Sequence, residues 1–588
     1  MTQQLTKHPS RRLWVGLIIL ILLTGGLAFD LAKHGLVWNI FWSLTGEETP
    51  LSQVRGMVEW AGNFIRPQPQ TAPDVPINHT DVPPYGINTF LQQEVEVAKR
   101  DRSLKMIAEA GFKIIRQQFP WDDIEISGRG EFTDRRNDLN NDSVIDDKDV
   151  VSAWAKYDNI VDLATKYGIQ IQARLDNPPK WTRANADAGD KAPPDDYQDF
   201  VNYAVAVAKR YQGRIRYYQI WNEPNANDEW GTQPVNPEAY TDLLCRTYKA
   251  LKAVDPALVV ISGPLSPTIS LTNRSLNDFI FLQRMYDAGA KDCFDVMSAQ
   301  GYGFFSGPTD RRMRPMTLTY ARNIYIRDIM VANGDASKAI WISEAAWNPQ
   351  PDDPSNITQN GAFGIVAEDQ AARYMPLAYQ RAQEEWPWIG NISYWFFKRP
   401  SDYEKNQAFY YFRMVEPDFT PLPVYDSMKQ YITAQKPVLY PGVHQAEDWR
   451  VKLSPLATAM GGEYSQFQWG MATSYADFST HGTDVYVRWN GGSNNNRNLS
   501  VSTNDKQFTL NLEDLKPTNN GWYEASIFHS TISETEHFHI SYEGGFDFDS
   551  ITVLDRSVQN ILPIVASLIG IFGITLYVIF SALRERRK

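Results

Sequence analysis

Two glutamates, each at the predicted end of a short apolar strand, are the residues of this sequence best suited to carry out chemistry. Glu223 lies in Trp-Asn-Glu-Pro at 221–224, after an aromatic and β-branched segment that predicts a strand. Pro224 cannot continue a sheet ladder, so the strand must stop beside Glu223. Glu344 ends a second apolar segment, and a tryptophan follows it three residues later. Such a pair can supply the acid/base and the nucleophile that cleave a glycosidic bond.

The elements that must position these glutamates form a repeated pattern. From residue 85 onward, short apolar segments alternate with helical patterns, which is typical of βα units on a parallel sheet. The alternation favours a closed (β/α)8 TIM barrel, in which catalytic groups lie at the carboxyl ends of strands. A doubly wound open sheet is the alternative, but no glycine-rich phosphate loop follows the first strand. We predict strands at 85–88, 113–119, 169–175, 215–221, 258–262, 296–300, 340–343 and 392–397.

The two glutamate motifs together resemble the acid/base and nucleophile motifs of the clan A retaining glycoside hydrolases. This group includes cellulase-like and β-xylosidase-like enzymes, and the resemblance covers roughly residues 82–435. It implies that Glu223 is the acid/base and Glu344 the nucleophile, on the fourth and seventh strands. It also implies a polysaccharide or oligosaccharide substrate and no cofactor for catalysis.

The same resemblance implies roles for three further polar residues. Arg116, near the end of the second strand, would hold the nucleophile ionised. Asn222 would bind the sugar 2-hydroxyl, and Tyr302 would donate a hydrogen bond to the nucleophile. Many relatives have a histidine where this chain has Gln300.

Aromatic residues are abundant, with 18 Trp and 29 Tyr. Exposed rings stack on sugar faces, although core packing is their more common use. The resemblance places Trp395 under the reacting sugar, and we predict that Trp347 and Trp181 also bind substrate. The formal net charge of −12 argues against nucleic acid as a partner.

Both ends of the chain predict membrane helices. An apolar run at 13–29 follows Lys7, Arg11 and Arg12, and a second run at 561–583 precedes the basic end of the chain. By the positive-inside rule, two transmembrane helices would hold the protein in the lipid bilayer of the cell membrane, with both termini cytoplasmic and the catalytic domain extracytoplasmic. A cleaved signal peptide is the alternative for the first run.

These patterns divide the chain into five parts. After residue 437 the helical pattern gives way to short alternating strands between Asn/Gly turns, which predict an antiparallel β-sandwich. The parts are 1–34, tail and anchor; 35–81, juxtamembrane segment and proline-rich spacer; 82–436, barrel; 437–557, β-sandwich; and 558–588, transmembrane helix and basic tail.

The only two cysteines, Cys245 and Cys293, form a disulfide or remain two buried thiols.

An acidic loop at 138–149 has the register of an EF-hand, with oxygen-bearing side chains at positions 1, 3, 5, 9 and 12. It resembles the dockerin type of calcium loop, with Ser143 where glycine is usual. We predict a structural Ca2+ there; a solvated acidic loop is the alternative. The predicted ligands are Asp138, Asn140, Asp142, Val144, Asp146 and Asp149.

Together these features predict a membrane-anchored extracytoplasmic retaining glycosidase. The alternative is a catalytically silent cell-surface protein that binds glycan or acts as a scaffold. Retention of both glutamates with Asn222, Arg116 and Tyr302 favours the enzyme.

Overall fold

A computed structural model describes residues 11–557 apart from 140–141, 352, 354, 456, 461–463, 468–473, 491–497, 519–520 and 545–546, together with 570, 573, 574 and 577. In this part of the chain, eight parallel strands form the central sheet. They are β1 (Tyr85–Thr89), β2 (Ile114–Pro120), β3 (Gln170–Asp176), β4 (Tyr217–Ile220), β5 (Val259–Ile261), β6 (Met297–Gln300), β7 (Ile340–Ala345) and β8 (Ile389–Tyr394).

The sheet closes into a barrel. Its strand order is β5-β4-β3-β2-β1-β8-β7-β6, and every pairing along it is parallel. Parallel bridges from Ile261 to Val296 and from Leu265 to Ala299 join the two ends of this order. Each predicted strand overlaps an observed one, so the predicted (β/α)8 arrangement is confirmed.

Nearly all residues of the barrel strands are buried, as they are when helices cover the outside and side chains fill the inside. Eight helices follow the strands or their loops in the described residues. They are α4 (Val97–Glu109), α5 (Ala155–Lys166), α6 (Tyr197–Arg210), α7 (Pro237–Val254), α8 (Asp278–Asp287), α9 (Asn323–Ala332), α10 (Glu368–Glu385) and α11 (Pro423–Ala434).

Three helices precede the barrel: α1 (Arg11–Ala32), α2 (Leu36–Thr45) and α3 (Pro50–Ala61). Within the residues described, no single helix is both long and apolar enough to cross a membrane. One bent pair, Ile18–Ala32 with Leu36–Thr45, reaches that length and composition together, with an angle of 70° between its halves. Nearly all of the predicted C-terminal membrane helix, in 558–588, lies outside the described residues.

The segment 35–81 differs from the expected spacer. Its helices α2 and α3 pack on each other, and the proline-rich stretch after them runs along the barrel. Arg327 on α9 donates to the carbonyl oxygen of Thr71 at 2.9 Å, Asn78 forms a parallel bridge with Lys338, and Ile77 is buried. Proline composition predicts a spacer between the domain and the bilayer, and the carbonyl groups of such a chain can accept hydrogen bonds from a neighbouring surface.

Residues after the barrel form an antiparallel sheet, which in the described residues has nine strands. Its core is separate from that of the barrel and includes Trp489, Phe538 and Ile551. Where the sequence predicts only short strands, Tyr523–Tyr542 is one long strand, and an irregularity opposite Gly482 accommodates extra residues within it. The strands are Gly442–Gln445, Lys452–Leu453, Ala457–Met460, Tyr464–Phe467, Ser474–Asn490, Asn498–Ser502, Gln507–Asn511, Tyr523–Tyr542 and Asp547–Leu554.

The two cysteines are joined. Cys245 on α7 and Cys293 before β6 form a disulfide across 48 residues of sequence. This resolves the choice that the sequence left open between a bridge and two buried thiols.

Candidate active site

A cavity of about 680 Å3 opens at the carboxyl ends of the barrel strands. Its lining includes both predicted catalytic glutamates, Glu223 and Glu344, together with Asn222, Tyr302 and Trp395. The volume lies in the range of about 300–1,000 Å3 that is usual for small-ligand sites. Five residues from four separate stretches of sequence therefore meet in one concave site.

Glu344 at the end of β7 is held by two hydrogen-bond donors. The guanidinium of Arg116 donates from Nη1 to Oε1 at 2.7 Å, and the Tyr302 hydroxyl donates to Oε2 at 2.6 Å. Burial, and next the charge of Glu344, raise the pKa of Tyr302 well above its usual value, so the phenol keeps its proton. A buried cation and a neutral donor on opposite oxygens both favour the ionised carboxylate.

Arg116 is itself fixed by three amide oxygens. Its side chain, 2% exposed, donates to Gln219 Oε1 at 2.6 Å, to Asn88 Oδ1 at 2.9 Å and to Asn222 Oδ1 at 2.7 Å. Together with the bond to Glu344, these hydrogen bonds use N–H groups on all three nitrogens of the guanidinium, so the cation is held in one orientation. The bond to Asn222 also orients that amide, leaving its NH2 group available to a ligand.

The turn after β4 directs Glu223 into the cavity. Trp221 and Glu223 both have positive φ, at 77° and 39°. This left-handed backbone costs non-glycine residues of order 1–3 kcal/mol each and must be held by neighbours. One such neighbour is the carbonyl oxygen of Glu229, which accepts a hydrogen bond from the Trp221 indole at 2.7 Å. Strained turns of this kind often occur at functional sites.

The environment of Glu223 is opposite in character to that of Glu344. Burial, and next the negative charges of Glu344 and Glu229, raise the pKa of Glu223 to about 8. Gln300 donates a hydrogen bond from Nε2 to Oε1 of Glu223 at 2.8 Å, and this bond opposes the rise in pKa. At neutral pH Glu223 therefore holds its proton, whereas Glu344 is paired with the Arg116 cation.

Residues 76–279 match the model of the cellulase family, glycosyl hydrolase family 5. The matched segment contains Arg116, Asn222 and Glu223, and the fold brings Glu344 from outside it to the same cavity. The part of the barrel at 76–279 is a cellulase-like glycoside hydrolase segment. The comparison with curated proteins found no match.

Three solved structures of glycosidases are similar to this chain. A family 39 glycoside hydrolase from the gut symbiont Bacteroides cellulosilyticus WH2 is 17% identical, with 79% of this chain and 82% of that chain covered and a TM-score of 0.43. A family 39 β-xylosidase from Caulobacter crescentus is 14% identical, covering 81% and 98%, with a TM-score of 0.42. A family 30 endoxylanase from Clostridium papyrosolvens C71 is 13% identical, covering 79% and 97%, with a TM-score of 0.38. Because these scores are below 0.5, the barrel assignment depends on the strand pairing described above.

Two of the three predicted aromatic contacts lie away from the cavity of the hydrolase. Trp347 is buried behind it, where its indole donates to the Ser306 carbonyl oxygen at 2.8 Å and fills the space beside Gly303. Trp181 packs edge-on against Trp121 at 5.7 Å, outside the cavity lining. Trp395 does line the cavity. Sequence proximity to a glutamate indicates that a ring is near the site but not which way it points.

Sequence reasoning missed a second polar group in the cavity. Arg174 and Asp176 end β3 as an ion pair at 2.7 Å, and Gln118 Nε2 donates to Asp176 Oδ1 at 2.8 Å. Lys191 pairs with Glu229 on the same wall. The sequence position of Arg174 near the end of β3 could have indicated its role, because polar side chains at the ends of barrel strands lie in the active site.

The acidic loop at 138–149 is closed by its own hydrogen bonds. Asp138 accepts from the backbone of Ser143 at 2.7 Å, and Asp149 accepts from the backbone of Asp146 at 2.9 Å. Ser143 has a φ of 66°, the conformation for which glycine is usual at this position. Among the described residues, which leave out Asn140, no group of three or more His, Cys, Asp or Glu is placed to hold a metal ion. Asp142 accepts from the backbone of Val144, whose side chain is exposed.

Proposed function

We propose that the chain is a membrane-anchored glycosidase that hydrolyses O-glycosidic bonds of an oligosaccharide or polysaccharide outside the cytoplasm, by double displacement. The observation that carries the reaction is the contrast between two carboxyls in one cavity. Glu344 is paired with Arg116 and Tyr302, whereas the pKa of Glu223 is raised to about 8. A retaining mechanism needs one ionised nucleophile and one protonated acid at the same pH.

In the first step, a carboxylate oxygen of Glu344 attacks the anomeric carbon while Glu223 gives its proton to the departing glycosidic oxygen. The carbon–oxygen bond to the leaving group breaks, and an ester bond to Glu344 forms. Formation of this ester removes the charge on Glu344. Because that charge contributes to the high pKa of Glu223, the pKa should fall at this stage.

In the second step, the now ionised Glu223 takes a proton from water, and the water oxygen attacks the anomeric carbon. The ester to Glu344 breaks, the sugar leaves with its original configuration, and Glu223 is protonated again. Asn222 is placed for a sugar hydroxyl beside the nucleophile because Arg116 holds its carbonyl oxygen. Trp395 supplies an apolar ring in the cavity wall.

The test separates the two carboxyls by leaving group. With a dinitrophenyl glycoside, which needs little acid assistance, Glu223→Ala should still form the glycosyl-enzyme and should be rescued by azide. Glu344→Ala should lose both properties. Equal loss on every leaving group would contradict the roles, and a wild-type protein that cleaves no glycoside but binds glycan would support the silent scaffold instead.

The extracytoplasmic location is supported by the disulfide and the apolar N-terminal helix. A bridge between Cys245 and Cys293 suits an oxidising compartment, since cytosolic thiols are kept reduced. The apolar run at 13–29 follows a basic segment and lies within α1. Protease added to intact cells should digest the barrel; protection until lysis would reverse the proposed topology.

We also propose that the loop at 138–149 binds Ca2+ in a structural role. Support comes from the position of Asp138, whose carboxylate receives the backbone N–H groups of Asp142 and Ser143. These bonds hold the loop in a compact turn and keep its carboxylates close together. A hard cation bound there would reduce the repulsion between these carboxylates. The hydrolase needs no ion in its catalytic cavity for the steps above.

A further inference from the structure

Helix α3 turns its polar side toward the barrel. Gln53 is completely buried and donates to the carbonyl oxygen of Trp38 at 3.1 Å. Glu59 accepts from Arg312 at 3.0 Å and from Arg314 at 3.3 Å. Just beyond the helix, Asn63 exchanges hydrogen bonds of 2.9 Å with the backbone of residues 311 and 313. A helix on a water-soluble domain normally does the reverse and packs its apolar side inward.

The opposite side of α3 is apolar and exposed. Leu51, Val54 and Val58 are spaced three and four residues apart, so they lie on one side of the helix. Leu51 is 82% exposed and Val58 73%, and the side continues past the helix end in Phe64 and Ile65, at 73% and 89%. We call these five residues the α3 face. Exposed apolar residues are common singly, but a contiguous set on one helix indicates a binding surface.

The preceding helices indicate what covers the α3 face. Helix α1 contacts both α2 and α3, and its apolar side chains are exposed over most of its length. Helix α2 leaves α1 at an angle of 70°. If α1 crosses a bilayer, a helix at this angle lies close to the membrane plane. Trp38 on α2, which is only partly buried, is an aromatic residue of the type enriched at the membrane–water interface.

We propose that the α3 face lies in the interfacial layer of the lipid bilayer and holds the barrel at a fixed orientation to the membrane. This inference rests on the proposed membrane anchor. A bilayer fits the face better than a second copy of the chain because α3 contacts α1, the helix proposed as the membrane anchor. The polar side of α3 already contacts α2 and the barrel, so the exposed side offers a partner the α3 face with one exposed cation, Arg55, beside it.

The attachment also orients the active site. The loop after β6 binds α3 through Arg312 and supplies Phe304 and Leu318 to the cavity lining. That loop leaves the carboxyl end of its strand, which is the catalytic side of a barrel. The α3 face is therefore attached to the catalytic side, and its insertion would place the cavity mouth near the membrane surface.

The experiment uses the full chain reconstituted in liposomes. Both native cysteines are in a disulfide, so a cysteine introduced by Val58→Cys can be labelled with an environment-sensitive fluorophore. Ala257→Cys, on an exposed loop at the amino end of β5, is the matched control on the opposite side of the barrel. Ile21→Cys, on the exposed apolar side of α1, reports insertion of the anchor. Each sample is measured with nitroxide-bearing lipid and, separately, with iodide in the water.

Lipid nitroxide should reduce the fluorescence at position 58 by about twofold or more, as at position 21, and should leave position 257 unchanged. Quenching at 21 without quenching at 58 would overturn the α3 proposal and leave the anchor intact. If position 58 were then also shielded from iodide, a second copy or another protein would cover the face. Absence of quenching at 21 and 58 would overturn both the α3 proposal and the anchor.

Discussion

The hydrogen bond from Gln300 to Glu223 leads to a test of how the acid/base is tuned. Gln300 Nε2 donates to Glu223 Oε1 at 2.8 Å, and this bond lowers the pKa of Glu223 while burial, and next Glu344, raise it. The net result is a pKa of about 8. Gln300→Met keeps the side-chain volume and removes only the donor, so we expect the pKa of Glu223 to rise further.

The magnitude follows from the bond that is lost. A hydrogen bond to a charged group contributes about 1.5–3 kcal/mol. At about 1.4 kcal/mol per pKa unit, this corresponds to a rise of about one to two units. The acid must be protonated for the first step, so activity is present below the pKa of Glu223 and is lost as pH rises through it. The alkaline limit of activity should therefore move from about pH 8 toward pH 9 or above.

The assay is kcat/KM against pH for an aryl glycoside with a poor leaving group, because such a substrate depends on the acid. Gln118→Met is the matched control: Gln118 also lines the cavity but donates to Asp176 rather than to Glu223. Its alkaline limit should stay with the wild type. An alkaline limit that is unchanged or moved to lower pH in Gln300→Met would refute the assignment of Gln300 as the donor that tunes Glu223.

Two further predictions concern stability. Replacing both Cys245 and Cys293 by alanine should reduce the free energy of unfolding by about 4 kcal/mol, because the bridge closes a loop across 48 residues. Denaturant unfolding of the variant and the wild type measures this difference. An equal unfolding midpoint for the two proteins would contradict the prediction. A calcium chelator should lower the melting temperature, because a ligand bound only to the native state at about a hundred times its Kd contributes about 2.7 kcal/mol. Asp138→Ala with Asp142→Ala should abolish that sensitivity and keep activity at low temperature; an unchanged wild-type melting curve would leave an acidic surface loop.

The barrel was predictable because its strands are short, apolar and separated by helical patterns. Strands such as β5 and β7 are buried along their full length, so their sequences are largely apolar and stand out from the amphipathic helices between them. The placement of Glu223 and Glu344 in one cavity then follows from the rule that parallel strands present their carboxyl ends on the same side.

Side-chain direction in loops was not predictable in the same way. Trp347 lies three residues after Glu344, yet its ring points behind the cavity because Gly303 leaves space for it there. The docking of 35–81 was hidden for a different reason: its contacts are polar bonds between residues about 250 apart, such as Glu59 with Arg312, and no periodicity in one sequence encodes them.

The hydrogen bonds of Arg116 link the nucleophile to the sugar-binding amide. One guanidinium contacts Glu344, Asn222 and Gln219 together, and Gln219 is in turn bonded to Ser343 beside the nucleophile at 2.7 Å. A change at Arg116 therefore removes a hydrogen bond from Glu344 and from Asn222 at the same time. Substitution of Arg116 leaves a buried carboxylate without its cation, so its cost should exceed that of losing one hydrogen bond. Catalysis in this barrel thus depends on buried polar packing beneath the cavity as much as on the two carboxyls that face the substrate.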